Sequence, residues 1–186
     1  KVASYAAPSA TDKVIMNEVL KDIELMTEGR VKGKQFVDSL LGPLEMLDGC
    51  QRGLADIVTV NHGYFSFKNL PFMNIGVQPF LYEGKAGAIK AWTHEDSLDK
   101  LCTEYLNANK YDNVIQLSSW YIGMHSWCFA KGQPKTPKDF QALKVRTAGH
   151  LSDILRKYFQ INVVSMPPTE IYEALQRGMV DGSMAS

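Results

Sequence analysis

Hydrophobic and polar positions along the chain fall into short apolar runs separated by stretches of helical spacing, with Gly, Pro and Asn between them. Lys1 to Ala7 reads as a short strand, and Pro8-Ser9 leads into Thr11-Asp12 and a helix carrying Ile15, Val19, Ile23 and Met26 along one side. Gly29 ends that helix, and Arg30 to Phe36 forms a second strand. Gly42-Pro43 then opens a helix with Leu44, Leu47 and Cys50 inward, stopped by Gly53, and Ala55 to Val60 continues as a strand. Asn61 to Phe80 has little period but many aromatics, with Pro71 and Pro79, and predicts an irregular segment packed on a surface. Two helices follow, the second marked by Leu98, Leu101, Cys102, Tyr105 and Leu106 and closed by Asn109. Asn113 to Ser119 and Met124 to Ala130 read as strands around Gly123. Thr136-Pro137-Lys138-Asp139 starts a helix, with Thr as cap, Pro in the first position and Asp near the exposed amides. Ala142 to Thr147 (strand), Leu151 to Phe159 (helix), Asn162 to Met166 (strand), Thr169 to Arg177 (helix) and a strand opening at Met179 complete the alternation. Strand and helix in turn predict an α/β fold that takes up ligands at strand ends.

One pattern occurs twice: Gln51-Arg52-Gly53-Leu54-Ala55-Asp56 and Gln176-Arg177-Gly178-Met179-Val180-Asp181 share QRGxxD. Each sits where a helix hands over to a strand, with Gly as a left-handed stop and Asp at the opening of the strand. Two related lobes, or chance between two such junctions, would both produce it. On the first reading the lobes are residues 1–119 and 120–186, with a hinge strand near Trp120 to Gly123.

Composition narrows the function. The 186 residues are 45% hydrophobic and 22% charged, enough for a buried core. Lys+Arg and Asp+Glu are 20 each, so no overall basic field draws in nucleic acid or anionic lipid. No apolar run approaches the ~20 residues that span a bilayer, and the first residues lack the apolar stretch of an uncleaved signal peptide, which suggests a soluble and already processed chain. Cys50, Cys102 and Cys128 form neither a CxxC pair nor a disulfide scaffold.

The signatures of familiar enzymes are missing: no GxSxG, HExxH, GxxxxGK[ST] or GxGxxG follows a strand. His125 and Cys128, three apart on a strand, point to opposite faces and make a poor base and nucleophile. The four histidines do not fall at metal-ligand spacing, so neither a metal nor a cofactor is expected. His62 and His125 adjoin buried-looking strands, where an imidazole needs a hydrogen-bond partner. Arg146, in Leu143-Lys144-Val145-Arg146-Thr147, ends a strand at the edge where open sheets bind ligands, and its guanidinium either forks a carboxylate or forms a surface ion pair. Trp120, Tyr121, Trp127, Tyr64 and Phe65 are candidate cleft walls, or simply core.

Taken in order, these residues resemble the extracytoplasmic solute-binding subunits of tripartite ATP-independent periplasmic (TRAP) transporters, of the dicarboxylate-binding type. The resemblance covers nearly the whole chain. It rests on Leu41-Gly42 with Glu45 before the first QRGxxD, Leu70-Pro71-Phe72, Trp120 with Gly123, and Thr136-Pro137-Lys138-Asp139-Phe140 running into Leu143-Lys144-Val145-Arg146. Its most specific block runs from Asn162-Val163-Val164 and Met166-Pro167 through Glu170-Ile171-Tyr172-Glu173-Ala174-Leu175-Gln176 to Val180-Asp181-Gly182. The resemblance implies a two-lobed, periplasmic-binding-protein-like fold, each lobe a mixed sheet flanked by helices, whose members continue beyond the point where this chain ends. It implies a periplasmic protein, not an enzyme, that closes on a small organic acid and presents it to TRAP membrane subunits, with no nucleic-acid partner and no stable membrane insertion.

The family's carboxylate-gripping arginine falls on Arg146. A second arginine of many members is replaced by His125, which implies a weaker, pH-sensitive grip. Pro168 stands where sialic-acid binders have Phe, so a smaller acid is implied. Tyr5 and the Asn61-His62 turn are the implied first-lobe contacts, with Trp120 and Trp127 beside the ligand. A ligand-sensing ectodomain of the same fold, and an α/β enzyme using His125 with Arg146 on a 2-oxo acid, remain open beside this reading.

Overall fold

The computed structural model describes residues 1–4, 11–78, 81–119, 126–130, 132–147 and 149–185, apart from the side chains of residues 11, 12, 66, 67 and 185. The chain forms two compact units, Lys1–Asn61 and His62–Ser186.

The first unit holds β1 (Val2–Ser4), α1 (Thr11–Met26), β2 (Gln35–Val37), α2 (Met46–Gln51) and β3 (Ile57–Val58). Its three strands are all parallel in the order β2-β1-β3. The fully buried β1 is the central strand, covered by Met16, Leu20 and Ile23 of α1 on one side and by Leu41, Met46 and Ala55 on the other.

Helix α1 lies where the spacing predicts it but buries a different face. Ile15, Val19 and Met26 are exposed, because Val14 to Met26 carries more apolar residues than one stripe, and packing on β1 selects Met16, Leu20 and Ile23. The strand expected over Arg30 to Phe36 forms only at Gln35–Val37, where β1 supplies hydrogen bonds. In α2, Met46 and Leu47 face inward while Leu44 is exposed, since the helix starts after the Gly42 amide is held by the Glu45 carboxylate.

The second unit opens with two 3-10 helices, His62–Lys68 and Pro71–Val77, over the stretch expected to be irregular. Then come α3 (Gly84–Thr93), α4 (Leu98–Ala108), β4 (Ser126–Phe129), α5 (Pro137–Gln141), β5 (Lys144–Thr147), α6 (His150–Phe159), β6 (Asn162–Ser165), a 3-10 turn Pro168–Glu170, α7 (Ile171–Gln176) and β7 (Gly182–Ala185). The sheet runs β4-β7-β5-β6, with β5 parallel to both neighbours and β4 antiparallel to β7. α5 starts on the Thr136 cap read from sequence, and the structure adds its reciprocal half, Thr136 and Asp139 holding each other's backbone amides in a capping box. Asn113 to Ser119, expected as a strand, pairs with no strand among the described residues. Its groups go instead to α4: the Gln116 amide donates to Thr103 Oγ1, and the Gln116 side chain donates to Asp99 Oδ1 and Ser119 Oγ.

The two QRGxxD segments fold alike. Gly53 and Gly178 have φ of 71° and 66°, and the following amides, Leu54 and Met179, reach back to the Gly49 and Ala174 carbonyls at 2.9 and 2.8 Å. The Asp56 and Asp181 amides then donate to the carbonyls of Lys1 and Lys144, at the start of the adjacent parallel strands β1 and β5. Each carboxylate returns to the nitrogen of that same lysine. One helix-stop, strand-start device is thus built twice, once in each sheet.

The first 3-10 helix is packed around His62. The ring lies 5.4 Å from Phe65 and 5.2 Å from Trp92, and the absence of a side chain at Gly76 makes room for it. Gln116 hydrogen-bonds the imidazole, but dehydration outweighs that bond and lowers its pKa to about 4. His62 is therefore neutral in the folded protein at pH 6, where an unfolded chain already takes up a proton.

Two outcomes follow for stability. Gly53→Ala and Gly178→Ala meet no atom within 4 Å of the new Cβ, so each costs about 1 kcal/mol from the left-handed backbone alone, readable as a lower urea midpoint at unchanged slope. His62 contributes stability that is complete above pH 6.5 and is lost as pH falls towards 4, on the order of 3 kcal/mol at most. His62→Gln flattens that part of the stability–pH curve; the same slope in both proteins would show that His62 does not carry it.

Candidate functional site

Arg146 lies in β5, an interior strand of the second sheet, opposite Val164 on β6 and Ser183 on β7. The apolar–basic alternation of Leu143 to Thr147 does not give one wet face. Only Lys144 is exposed, while Val145, Arg146 and Thr147 are buried, as in a parallel strand covered on both sides. Arg146 retains 6% of its surface.

Backbone carbonyls hold its guanidinium. Nε and Nη2 both donate to the Met166 carbonyl, at 3.0 and 2.7 Å, and Nη1 donates to the Met184 carbonyl at 3.4 Å. Met166 follows the end of β6 and precedes Pro167, which has no N–H to extend a ladder and restricts the residue before it. That carbonyl is thereby available to a side chain. The Tyr64 hydroxyl also hydrogen-bonds the guanidinium. Burial lowers the Arg146 pKa and raises that of Tyr64, and the contact between them opposes both shifts. The arginine stays cationic and the phenol protonated near neutrality. No carboxylate among the described residues pairs with Arg146.

Tyr64 is positioned by a close approach of two backbone segments. Gly149, at φ 64° and ψ −150°, caps α6, and a Cβ there would lie 2.1 Å from the Gly63 carbonyl oxygen. One residue on, the His150 ring meets the Gln78 side-chain amide at 3.1 Å. The 3-10 segment is thus seated on the turn between β5 and α6, beside Arg146.

The other sequence candidates are placed as follows. Asn61 closes the first unit, immediately before His62, whose ring is occupied by Phe65, Trp92 and Gln116. Trp127 packs on Phe129 and Phe140 with the Val145, Ile161 and Val163 cluster. Since Val145 and Arg146 are successive strand residues, Trp127 lies on the sheet face opposite Arg146. Pro168 is exposed at the start of its 3-10 turn, two residues past the Met166 carbonyl. Tyr5, Trp120 and His125 lie outside the described residues, as does the Trp120 to Gly123 hinge strand. Tyr64 was visible in the sequence only as one aromatic among several; nothing in its spacing tied it to Arg146. Among the described residues no group of His, Cys, Asp and Glu could hold a metal, and no helix is long and apolar enough to cross a membrane.

Residues 2–186 match the model of bacterial extracellular solute-binding protein family 7. The 2,3-diketo-L-gulonate-binding periplasmic protein of Escherichia coli is 30% identical over 89% of this chain and 48% of its own length. A monocarboxylate 2-oxoacid-binding periplasmic protein of Nostoc is 26% identical over 89% of this chain and 44% of its own. The chain thus spans about half the length of these curated relatives. Among solved structures, a TRAP periplasmic solute-binding protein of Chromohalobacter salexigens with bound D-glucuronate superposes with a TM-score of 0.83 at 23% identity, covering 100% of this chain and 60% of that one. One from Rhodoferax ferrireducens with bound malonate gives 0.78 at 22%, covering 100% and 59%. These structures share the fold expected from sequence, α/β with mixed sheets and helices, of which this chain spans part. With the family match running from Val2 to the last residue, the chain belongs to bacterial extracellular solute-binding protein family 7.

Proposed function

We propose that this protein captures a small organic acid outside the cytoplasm, in the periplasm, and passes it to TRAP membrane subunits, without chemistry of its own. One observation carries the reading: Arg146 is a buried cation with no carboxylate partner among the described residues. Burying an ionised group without a counter-charge is costly. Backbone carbonyls orient the guanidinium but leave its net charge, which suits it to an anion that comes and goes. Of its five N–H groups three donate to the Met166 and Met184 carbonyls, and the two that main chain does not take, one on each terminal nitrogen, face the Tyr64 hydroxyl, which accepts from the guanidinium, and an incoming ligand. A carboxylate can take that pair end-on in a two-bond fork.

The acid classes to expect come from the relatives: a diketo sugar acid and 2-oxo acids for two of them, uronates and malonate in the solved structures. His125, Asn61, His62, Tyr5, Trp120 and Pro168 complete the proposed set of ligand residues, without Trp127, which faces away from Arg146, and residues 1–119 and 120–186 are the proposed lobes with the hinge near Trp120. Family membership in solute-binding proteins supports a binder over an enzyme.

The test is calorimetric titration against a panel of uronates, sugar acids, 2-oxo acids and C3–C5 dicarboxylates. At least one binds saturably, unaltered after incubation. Arg146→Ala weakens it by about 100-fold, the loss of one close charge pair, while Arg146→Lys, which keeps the charge but not the fork, loses less. Wild-type affinity in Arg146→Ala would overturn the reading, and so would the absence of binding across the whole panel.

A further inference from the structure

The two N–H groups of Arg146 that no main-chain carbonyl takes bear on a residue that the family reading does not include. The Tyr64 hydroxyl already interacts with this guanidinium, each group shifting the other's titration. It is held there by main chain: Gly63, its neighbour, abuts Gly149, which no residue with a Cβ could replace without displacing the Gly63 carbonyl. The His150 and Gln78 contact braces the same junction from its other end. A carboxylate that docks end-on at Arg146 therefore arrives beside the Tyr64 oxygen.

We propose that Tyr64 is a second carboxylate-binding residue, its hydroxyl accepting from Arg146 before the ligand arrives and donating to the ligand carboxylate once it is bound. The inference rests on the proposed role of Arg146 and deepens it. A phenol is suited to the exchange because one oxygen both accepts and donates. A charged residue would not be: an acid at this position would neutralise Arg146 permanently, and a second base would repel it. Burial raises the phenol pKa, which keeps the proton on Tyr64 at the pH where the ligand is ionised. The acid is then held by an arginine fork and a neutral donor, and an ester or amide of the same size loses the charge and the second oxygen of the fork.

Tyr64→Phe removes the hydroxyl and keeps the ring. With the tightest acid from the panel above, its Kd rises about tenfold to a hundredfold, as for a hydrogen bond to a charged group, at an unfolding midpoint equal to wild type. A ligand-induced tyrosine absorbance difference seen in the wild type disappears in Tyr64→Phe. Affinity within twofold of wild type, or an absorbance difference that persists in the variant, overturns the assignment of Tyr64. Arg146→Ala separates the two claims. If it weakens binding while Tyr64→Phe stays within twofold of wild type, only Tyr64 is misassigned; if it leaves binding intact, the function itself falls.

Discussion

A cation buried in the middle of a sheet is the constraint around which the second unit is arranged. Arg146 cannot be solvated where β5 places it, and a guanidinium presents five donors that must be met nearby. The strand order supplies two of the partners. β6 and β7 flank β5, so their ends bring the Met166 and Met184 carbonyls to the guanidinium. Pro167 then matters for what it lacks: a residue with an N–H could prolong β6 and draw Met166 into the ladder.

That placement depends in turn on the repeated junction. The register of β7 beside β5 is fixed where Asp181 meets Lys144, by one backbone and one carboxylate hydrogen bond. From there Gly182 and Ser183 fall opposite Val145 and Arg146. A slip by one residue would exchange the faces of β7 and carry the Met184 carbonyl away from the guanidinium. The same device in the first unit sets β3 against β1 through Asp56 and Lys1. Chance could write QRGxxD twice, but it would not also reproduce the glycine conformation, the return bonds and the aspartate bridge. The repeat is structural, and in the second unit it sets the register of β7 beside Arg146.

How much of this the sequence revealed follows from what is local and what is not. The cap of α5, the glycine stops, and helices α4 and α6 depend on residues three or four apart, and they were read correctly. The buried face of α1 was misread because the helix has apolar residues on more than one side, and only β1 decides among them. Asn113 to Ser119 looked like a strand because Ile115 and Leu117 alternate with polar residues. Asp99 and Thr103, more than a dozen positions earlier, take up those polar groups instead. Arg146 was legible because its motif is short and continuous. Tyr64 was not: its link to Arg146 spans most of the second unit and is set by two glycines that each look like ordinary turn residues.

The way Arg146 is satisfied also bears on why such a site would release what it binds. Had the fold met the guanidinium with a buried aspartate, the pair would be neutral, and an incoming acid would have to displace a covalently tethered rival at very high effective concentration. Carbonyl oxygens and a phenol do something different: they fix the orientation of the fork by dipoles, which costs little reorganisation when the ligand docks, and they leave one unit of positive charge uncancelled. On the proposed function, the uncancelled charge would select acids over neutral compounds of the same shape. The dipoles would continue to hold the arginine after the acid departs, so that the empty site is tolerable and binding is reversible, as the proposed delivery to a membrane partner requires.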